Sequence, residues 1–203
     1  MENISVLGAG SWGTALAIVL AENGHRVRIW SHRQDQVDEI NTQHTNAKYL
    51  PNTTLPMNLV ATASLQQAVD ESDMIVVAVP TKAIRSVCQQ FVPFMREEKL
   101  FVHVSKGIEP DSLKRISELL AEEIPSMLRS DIVVLSGPSH AEEVVLQHPT
   151  TVTVACENMR AAERVQDAFM SSYFRVYTLE DVIGAEIGGA LKNVIALAAG
   201  AVD

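Results

Sequence analysis

Apolar residues in this chain come in short unbroken runs separated by amphipathic stretches, the pattern of buried parallel strands alternating with helices. The first run, residues 4–7, leads into a glycine-rich turn and then into Ala15, Leu16, Val19 and Leu20, spaced so that one helix face can lie on a sheet. Gly24 stops that helix and Arg26–Trp30 reads as a second strand. A helix over 34–42 and a short strand over 59–61 follow, and Ser64 is placed to cap a helix over 65–69. Residues 74–79 are continuously apolar, as at the centre of a parallel sheet. The alternation continues with a helix over 83–91, a strand over 100–104, an amphipathic helix over 113–123 and a strand over 132–135. Ser139 is placed to cap a helix over 140–146, and strands over Thr150–Ala155 and 174–177 flank a helix over 159–170. The expected fold class is α/β, a doubly wound sheet.

After residue 179 the rhythm changes. Residues 181–202 hold no strand and form one long helical run, in which Gly184, Ala185, Gly188, Gly189 and Ala190 would let another helix approach closely. This predicts a nucleotide-binding domain over 1–179 and, over 180–203, the first helix of a helical second domain whose remainder is lacking.

The turn after the first strand, Gly8-Ala9-Gly10-Ser11-Trp12-Gly13, has the glycine spacing of a Rossmann-type dinucleotide site. Gly8 would allow the sharp turn, Gly10 the approach of backbone to a pyrophosphate, and Gly13 close packing of helix on strand. The helix N-terminus adds free N–H groups and a partial positive charge. Beyond the second strand, where an NAD-preferring site carries an Asp or Glu, the chain reads Ser31-His32-Arg33. With no carboxylate there to repel a 2′-phosphate and Arg33 able to pair with one, NADP(H) is expected to be preferred and NAD(H) possible. Residues 46–52 are too long for a plain connector and suit a lid or lining loop. Lys106, between Ser105 and Gly107 at the end of a strand, is a candidate to point into a cleft or, equally, to lie in solvent.

Bulk properties exclude more than they identify. Of 203 residues 47% are apolar and 20% charged, which fits an ordered globular protein. The net charge of -9, without any long Lys/Arg run, argues against nucleic acid as a partner. Two distant cysteines, Cys88 and Cys156, suggest neither a disulfide framework nor a metal site, and fit a reducing cytoplasm. The N-terminus lacks the basic segment of a signal peptide. The longest weakly polar run, 187–202, falls short of about 18 apolar residues and reads as a buried helix, not a membrane span.

Taken together, GAGSWGTALA at 8–17, SHR at 31–33, YLPN at 49–52, VP at 79–80, SKGIE at 105–109, SGPSHAEEV at 136–144 and EIGGALKNVIALAAG at 186–200 make the chain resemble the bacterial-type NAD(P)-dependent glycerol-3-phosphate dehydrogenases. The resemblance implies reversible reduction of dihydroxyacetone phosphate by NAD(P)H to sn-glycerol 3-phosphate, feeding glycerophospholipid synthesis, with a homo-oligomer possible for the full-length protein. It implies that Ser11, Trp12, His32, Arg33, Lys106 and Ala141 contact the cofactor, that Lys106, Gly137, Ser139 and Lys192 contact the substrate, and that Lys192 donates and accepts the proton. A lysine suits that role if its pKa is brought down to about 7–8, which apolar surroundings and a second lysine would favour. The family's helical domain supplies an aspartate and a Ser-Arg-Asn segment to grip the substrate phosphate, and neither is present here. The chain is therefore expected to bind cofactor weakly and to turn over little. Two other readings remain open: a nucleotide-binding or redox-sensing module without catalysis, and a dehydrogenase of the same fold acting on a β-hydroxyacid or a nucleotide sugar.

Overall fold

The computed structural model describes residues 1–201, so Val202 and Asp203, the end of the expected last helix, lie outside the described residues. The chain runs β1 (Asn3–Leu7), α1 (Ser11–Glu22), β2 (Arg26–Trp30), α2 (Gln34–Gln43), β3 (Leu59–Thr62), α3 (Leu65–Asp70), β4 (Met74–Val77), α4 (Thr81–Phe91) and β5 (Lys99–His103). It continues with α5 (Ile116–Glu123), β6 (Arg129–Ser136), α6 (Ala141–Val145), β7 (Thr150–Ala155), α7 (Met159–Phe169), β8 (Phe174–Leu179) and α8 (Val182–Gly200). All strands join one sheet in the order β3-β2-β1-β4-β5-β6-β7-β8. The first six are parallel in the arrangement of two mononucleotide-binding halves, whose ligands bind at the carboxyl ends of the strands near the switch between β1 and β4.

The runs of aliphatic residues on β1, β4 and β5 are buried because helices cover both faces of the sheet. One core lies under α1, α2, α6 and α7 and includes Leu16, Ile40, Val144 and Phe169. The other lies under α3, α4 and α5 and includes Leu65, Ile84, Phe91 and Leu119.

Three differences from the sequence expectation have local causes. The helix expected from residue 113 begins at Ile116, because Leu113 takes a left-handed conformation (φ 57°) and Ile108 bridges Arg115. Ser139 caps no helix: His140 is the N-cap of α6, and the Ser139 hydroxyl is buried without a hydrogen-bond partner. β7 pairs antiparallel with β6, so residues 137–149 stay at the carboxyl edge of the sheet instead of crossing it.

Two further antecedents of the site follow from that reversal. β8, parallel to β7, ends at the opposite edge, and α8 returns from there: Val182 and Ile183 lie near Asp131 and Ile132, whereas Gly189 and Lys192 lie near Ser136 and Gly137. Most of α8 is not covered among the described residues, Ile183, Val194, Ile195 and Leu197 being exposed, so the burial expected for this helix is met only at Glu186. No single helix among the described residues is long and apolar enough to cross a membrane, and the two halves of α8 reach that measure only if counted together across a 45° bend.

Candidate functional site

A cleft of about 450 Å³ opens at the carboxyl edge between β1, β2, β4 and β5. Gly8, Gly10, Ser11, Trp12, Gly13, His32 and Lys106 all line it, so seven of the sequence-predicted site residues meet in one place. Gly8 has φ 121°, and a Cβ there would lie 2.7 Å from the Ala78 carbonyl oxygen. A Cβ on Gly13 would overlap the carbonyl of Gly8, so helix and strand can approach this closely only with glycine at 13. A Cβ on Gly10 would meet no atom within 4 Å, which leaves the space over that peptide open to a ligand. The first bond of α1 runs from the Thr14 N–H to the Gly10 carbonyl (2.9 Å), so the N–H groups of Ser11, Trp12 and Gly13 precede the ladder, and the first turn carries no acidic residue. Such an end suits a pyrophosphate. The Trp12 indole N–H is buried without a partner among the described residues.

At the end of β2, Ser31 and His32 line the cleft but Arg33 does not. Its guanidinium pairs with Asp35, donating from Nε to Oδ1 at 3.1 Å and forming a second contact through the other oxygen. That hydrogen bond raises the pKa of Arg33 and lowers that of Asp35. Residues 31–33 hold no carboxylate, but Asp35, two positions on, competes for the same cation.

The loop after β5 is built to hold Lys106. The Ser105 hydroxyl donates to the Val79 carbonyl (2.7 Å), the Thr81 hydroxyl donates to the Lys106 carbonyl (3.3 Å), and Gly107 turns with φ 128°. Further along, Glu109 accepts two hydrogen bonds from Arg85 at 3.0 and 2.7 Å, which anchors the loop to α4. Lys106 Nζ donates to the Gly137 carbonyl at 2.9 Å and sits 5.9 Å from the centroid of the Trp12 ring. Its pKa is brought down to about 8, first by burial and then by the like charge of the neighbouring Lys192.

Lys192 and Gly137 line a second hollow of about 280 Å³ beside Ser136, Gly188 and Gly189. Lys106 joins it to the nucleotide cleft. The small residues of α8 serve this approach to a strand rather than to another helix within the described residues: a Cβ on Gly189 would lie 2.6 Å from the Ser136 hydroxyl, and one on Gly184 would overlap the Asp181 carboxylate that caps the helix. Ser139 and Ala141 line neither space, and Ala141 is packed in the core at the start of α6.

Sequence reasoning missed the group that seats α8. Glu186 is buried and accepts hydrogen bonds from Arg115 Nη1 (2.8 Å), the Ser117 N–H (2.8 Å) and the Ser117 hydroxyl (2.7 Å), with His103 Nε2 at 3.1 Å. Burial by itself would raise its pKa, but the neighbouring His103 and the bonds from Ser117 prevail and bring it down to about 2. A glutamate amid Ile, Gly and Ala was the available signal. Gln36, inside α2 on the face shared with Val37 and Ile40, was likewise a polar residue at an apolar position. Among the described residues no cluster of three or more His, Cys, Asp or Glu side chains is placed to hold a metal ion.

A family model described as NAD-dependent glycerol-3-phosphate dehydrogenase N-terminus matches residues 3–162, and one described as the C-terminus of the same enzymes matches 181–203. The glycerol-3-phosphate dehydrogenase (NAD(P)+) of Lysinibacillus sphaericus (strain C3-41) is 66% identical over all 203 residues, which cover 60% of its length. That of Bacillus subtilis (strain 168) is 61% identical, with 59% of its length covered. The crystal structure of glycerol-3-phosphate dehydrogenase from Coxiella burnetii superposes with a TM-score of 0.89 at 36% identity, over 98% of this chain and 60% of that one. A UDP-glucose dehydrogenase from Pyrobaculum islandicum (TM-score 0.69, 18% identity, 96% of this chain and 49% of that one) shares the fold. The chain thus spans about 60% of the length of the curated relatives it matches.

Proposed function

The chain belongs to the NAD-dependent glycerol-3-phosphate dehydrogenase family, and on that premise we propose that the protein reduces dihydroxyacetone phosphate reversibly to sn-glycerol 3-phosphate with NAD(P)H. The observation that carries this reading is that Lys106, which lines the nucleotide cleft, donates to the Gly137 carbonyl, while Gly137 and Lys192 line the adjoining hollow under α8. Residues 180–203 are read as the opening of the second domain, supported by the separate family match that begins at 181.

The cleft fits a dinucleotide: an open peptide at Gly10, unladdered N–H groups at Ser11 to Gly13 and an unpartnered indole N–H at Trp12. When bound, the nicotinamide supplies hydride to the ketone carbon. Negative charge then grows on the ketone oxygen, and an ammonium group held in a partly buried site stabilises it more strongly than one in water. Lys106, cationic below about pH 8 and fixed by the Gly137 carbonyl and the Trp12 face, is placed for that role. Lys192, which lines the adjoining hollow, is the proton donor.

A preference for NADP(H) is supported by Arg33 and by the lack of a carboxylate at 31–33. A 2′-phosphate would draw the guanidinium from Asp35. Arg33→Ala is expected to weaken NADPH binding about tenfold, as loss of one charged hydrogen-bonded contact would, and to leave NADH binding nearly unchanged. Equal loss for both nucleotides, measured by fluorescence titration, would remove the preference. The function itself is tested by assaying the full-length protein with NADPH against dihydroxyacetone phosphate, a β-ketoacid and a nucleotide sugar. Turnover of the first alone is expected, and NADPH binding without turnover of any would sink the enzyme reading. Two unbridged, buried cysteines support a reducing cytoplasm as its location.

A further inference from the structure

Between the glycine turn, α2 and the 46–50 loop lies a network of buried polar side chains that the chemistry above does not use, two of which, Ser31 and Gln36, reach the wall of the cleft. Gln36 Nε2 donates to the Ala9 carbonyl (2.6 Å) and to Asn46 Oδ1 (2.9 Å). Asn46 Nδ2 donates to the same Ala9 carbonyl (3.0 Å) and to the Thr14 hydroxyl (2.9 Å). The Ser31 hydroxyl donates to Gln36 Oε1 (2.7 Å) and accepts from the Arg33 N–H (3.1 Å). Both amide NH₂ groups and both lone pairs of the Ala9 carbonyl are thereby used. Gln36, Asn46, Thr14 and Ser31 are all at most 5% exposed.

Burying four polar side chains is costly unless every one is paired, and an apolar set would pack as well. A fully paired network does something apolar packing cannot: it fixes the direction of the groups it holds. The group held twice here is the Ala9 carbonyl. In a trans peptide the C=O and the following N–H point opposite ways, and the described chain has no cis bond. Turning Ala9 O toward Gln36 and Asn46 therefore turns the Gly10 N–H away from them, and Gly10 lines the cleft. The network also spans the cleft. Ser31 stands at the end of β2, and the Asn46 carbonyl accepts from the N–H groups of Tyr49 (3.0 Å) and Leu50 (2.9 Å). The Tyr49 carbonyl in turn accepts from the Ser11 hydroxyl (2.9 Å).

We propose that Gln36 and Asn46 are positioning residues for the cofactor: by holding the Ala9 carbonyl they aim the Gly10 N–H at the pyrophosphate, and they tie the glycine turn to the 46–50 loop. This rests on the dinucleotide reading of the cleft. The probes are NADPH and ADP-ribose, which carry a pyrophosphate, and 2′-AMP, which does not. Gln36→Met keeps the side-chain length and removes its amide. It is expected to weaken NADPH and ADP-ribose about tenfold, as loss of a buried hydrogen-bond partner would, and to leave 2′-AMP within about twofold. Asn46→Asp, isosteric but unable to donate to Ala9, is expected to act in the same direction and more strongly, and Gln36→Met carries the test if that variant does not fold. A folded Gln36→Met protein that binds NADPH as tightly as the unchanged one overturns the proposal. So does an equal loss for all three ligands, the signature of a purely structural role. Failure of the unchanged protein to bind NADPH or ADP-ribose overturns the dinucleotide reading as well, so the two failures are distinct.

Discussion

Lys192→Ala in the full-length protein is expected to lower turnover of dihydroxyacetone phosphate by about 10²–10⁴-fold, the usual contribution of a general acid, with NADPH affinity nearly unchanged. The separation follows from the site: Lys192 lines the hollow under α8, whereas the nucleotide cleft is lined by the glycine turn, the end of β2 and Lys106. A second result should appear on Lys106. Its pKa is brought down to about 8 by burial first and by Lys192 second. Removing Lys192 takes away the smaller cause and leaves the larger, so the Lys106 titration should move upward without reaching the value of a free lysine. If the ketone oxygen needs a cationic Lys106, the rate of the unchanged protein falls above about pH 8, and the residual rate of the variant persists to higher pH. Side-chain NMR of lysine and the pH–rate profile measure both effects. A Lys106 that titrates at the same pH with and without Lys192 would break the link between the two lysines on which the reading depends.

Replacing Glu186 is expected to have the largest effect on stability. The carboxylate accepts from Arg115 and from both donors of Ser117, beside His103, and is the one buried charge that ties α8 to β5 and α5 among the described residues. Glu186→Gln turns one acceptor toward that donor set into a donor and leaves Arg115 only the half-exposed Glu118 as countercharge, a change worth about 3 kcal/mol for a buried pair. The pH dependence has a definite sign. The folded pKa, about 2, lies below the ordinary carboxylate value, so the folded state holds this group deprotonated more strongly than the unfolded chain does. Its contribution is fully present above the unfolded pKa, near 4.5, and is lost as pH falls from there through about 2. Glu109, also brought down to about 2 by hydrogen bonds from Arg85 and Ser112, loses charge in the same window. The difference between unchanged and Glu186→Gln proteins in denaturant melts at pH 7, 4 and 2 isolates Glu186: it should shrink steadily with acid. A difference independent of pH would mean that the carboxylate charge does not seat the helix.

Most of the fold was legible because the strands are short apolar or alternating runs and most helices are amphipathic, periods that depend on local geometry alone. The limits of elements were less so. Residues 78 and 79 continue the apolar run of β4, yet the strand ends at Val77 because the chain must turn into α4 at Pro80. The direction of β7 had no signal at all, since an apolar strand reads the same parallel or antiparallel. In the site, the glycine turn could be read residue by residue, because steric demands at Gly8 and Gly13 are set by immediate neighbours. Arg33 was seen, but its pairing with Asp35 was not, since spacing of two residues in a turn does not fix which way the side chains face.

By itself the sequence determined the alternation of strands and helices, the dinucleotide turn and, through the motifs around Lys106 and Lys192, the family. Those features rest on local backbone geometry and on short contiguous motifs. Only the tertiary structure decided that Lys106 meets both Trp12 and Gly137, that Glu186 seats α8 against Ser117, and that Gln36 and Asn46 converge on one carbonyl. Each of those contacts joins residues from different elements. Burial makes the pairing obligatory without naming the partner, and the partner is chosen by where the sheet order and the path of α8 bring the chain together.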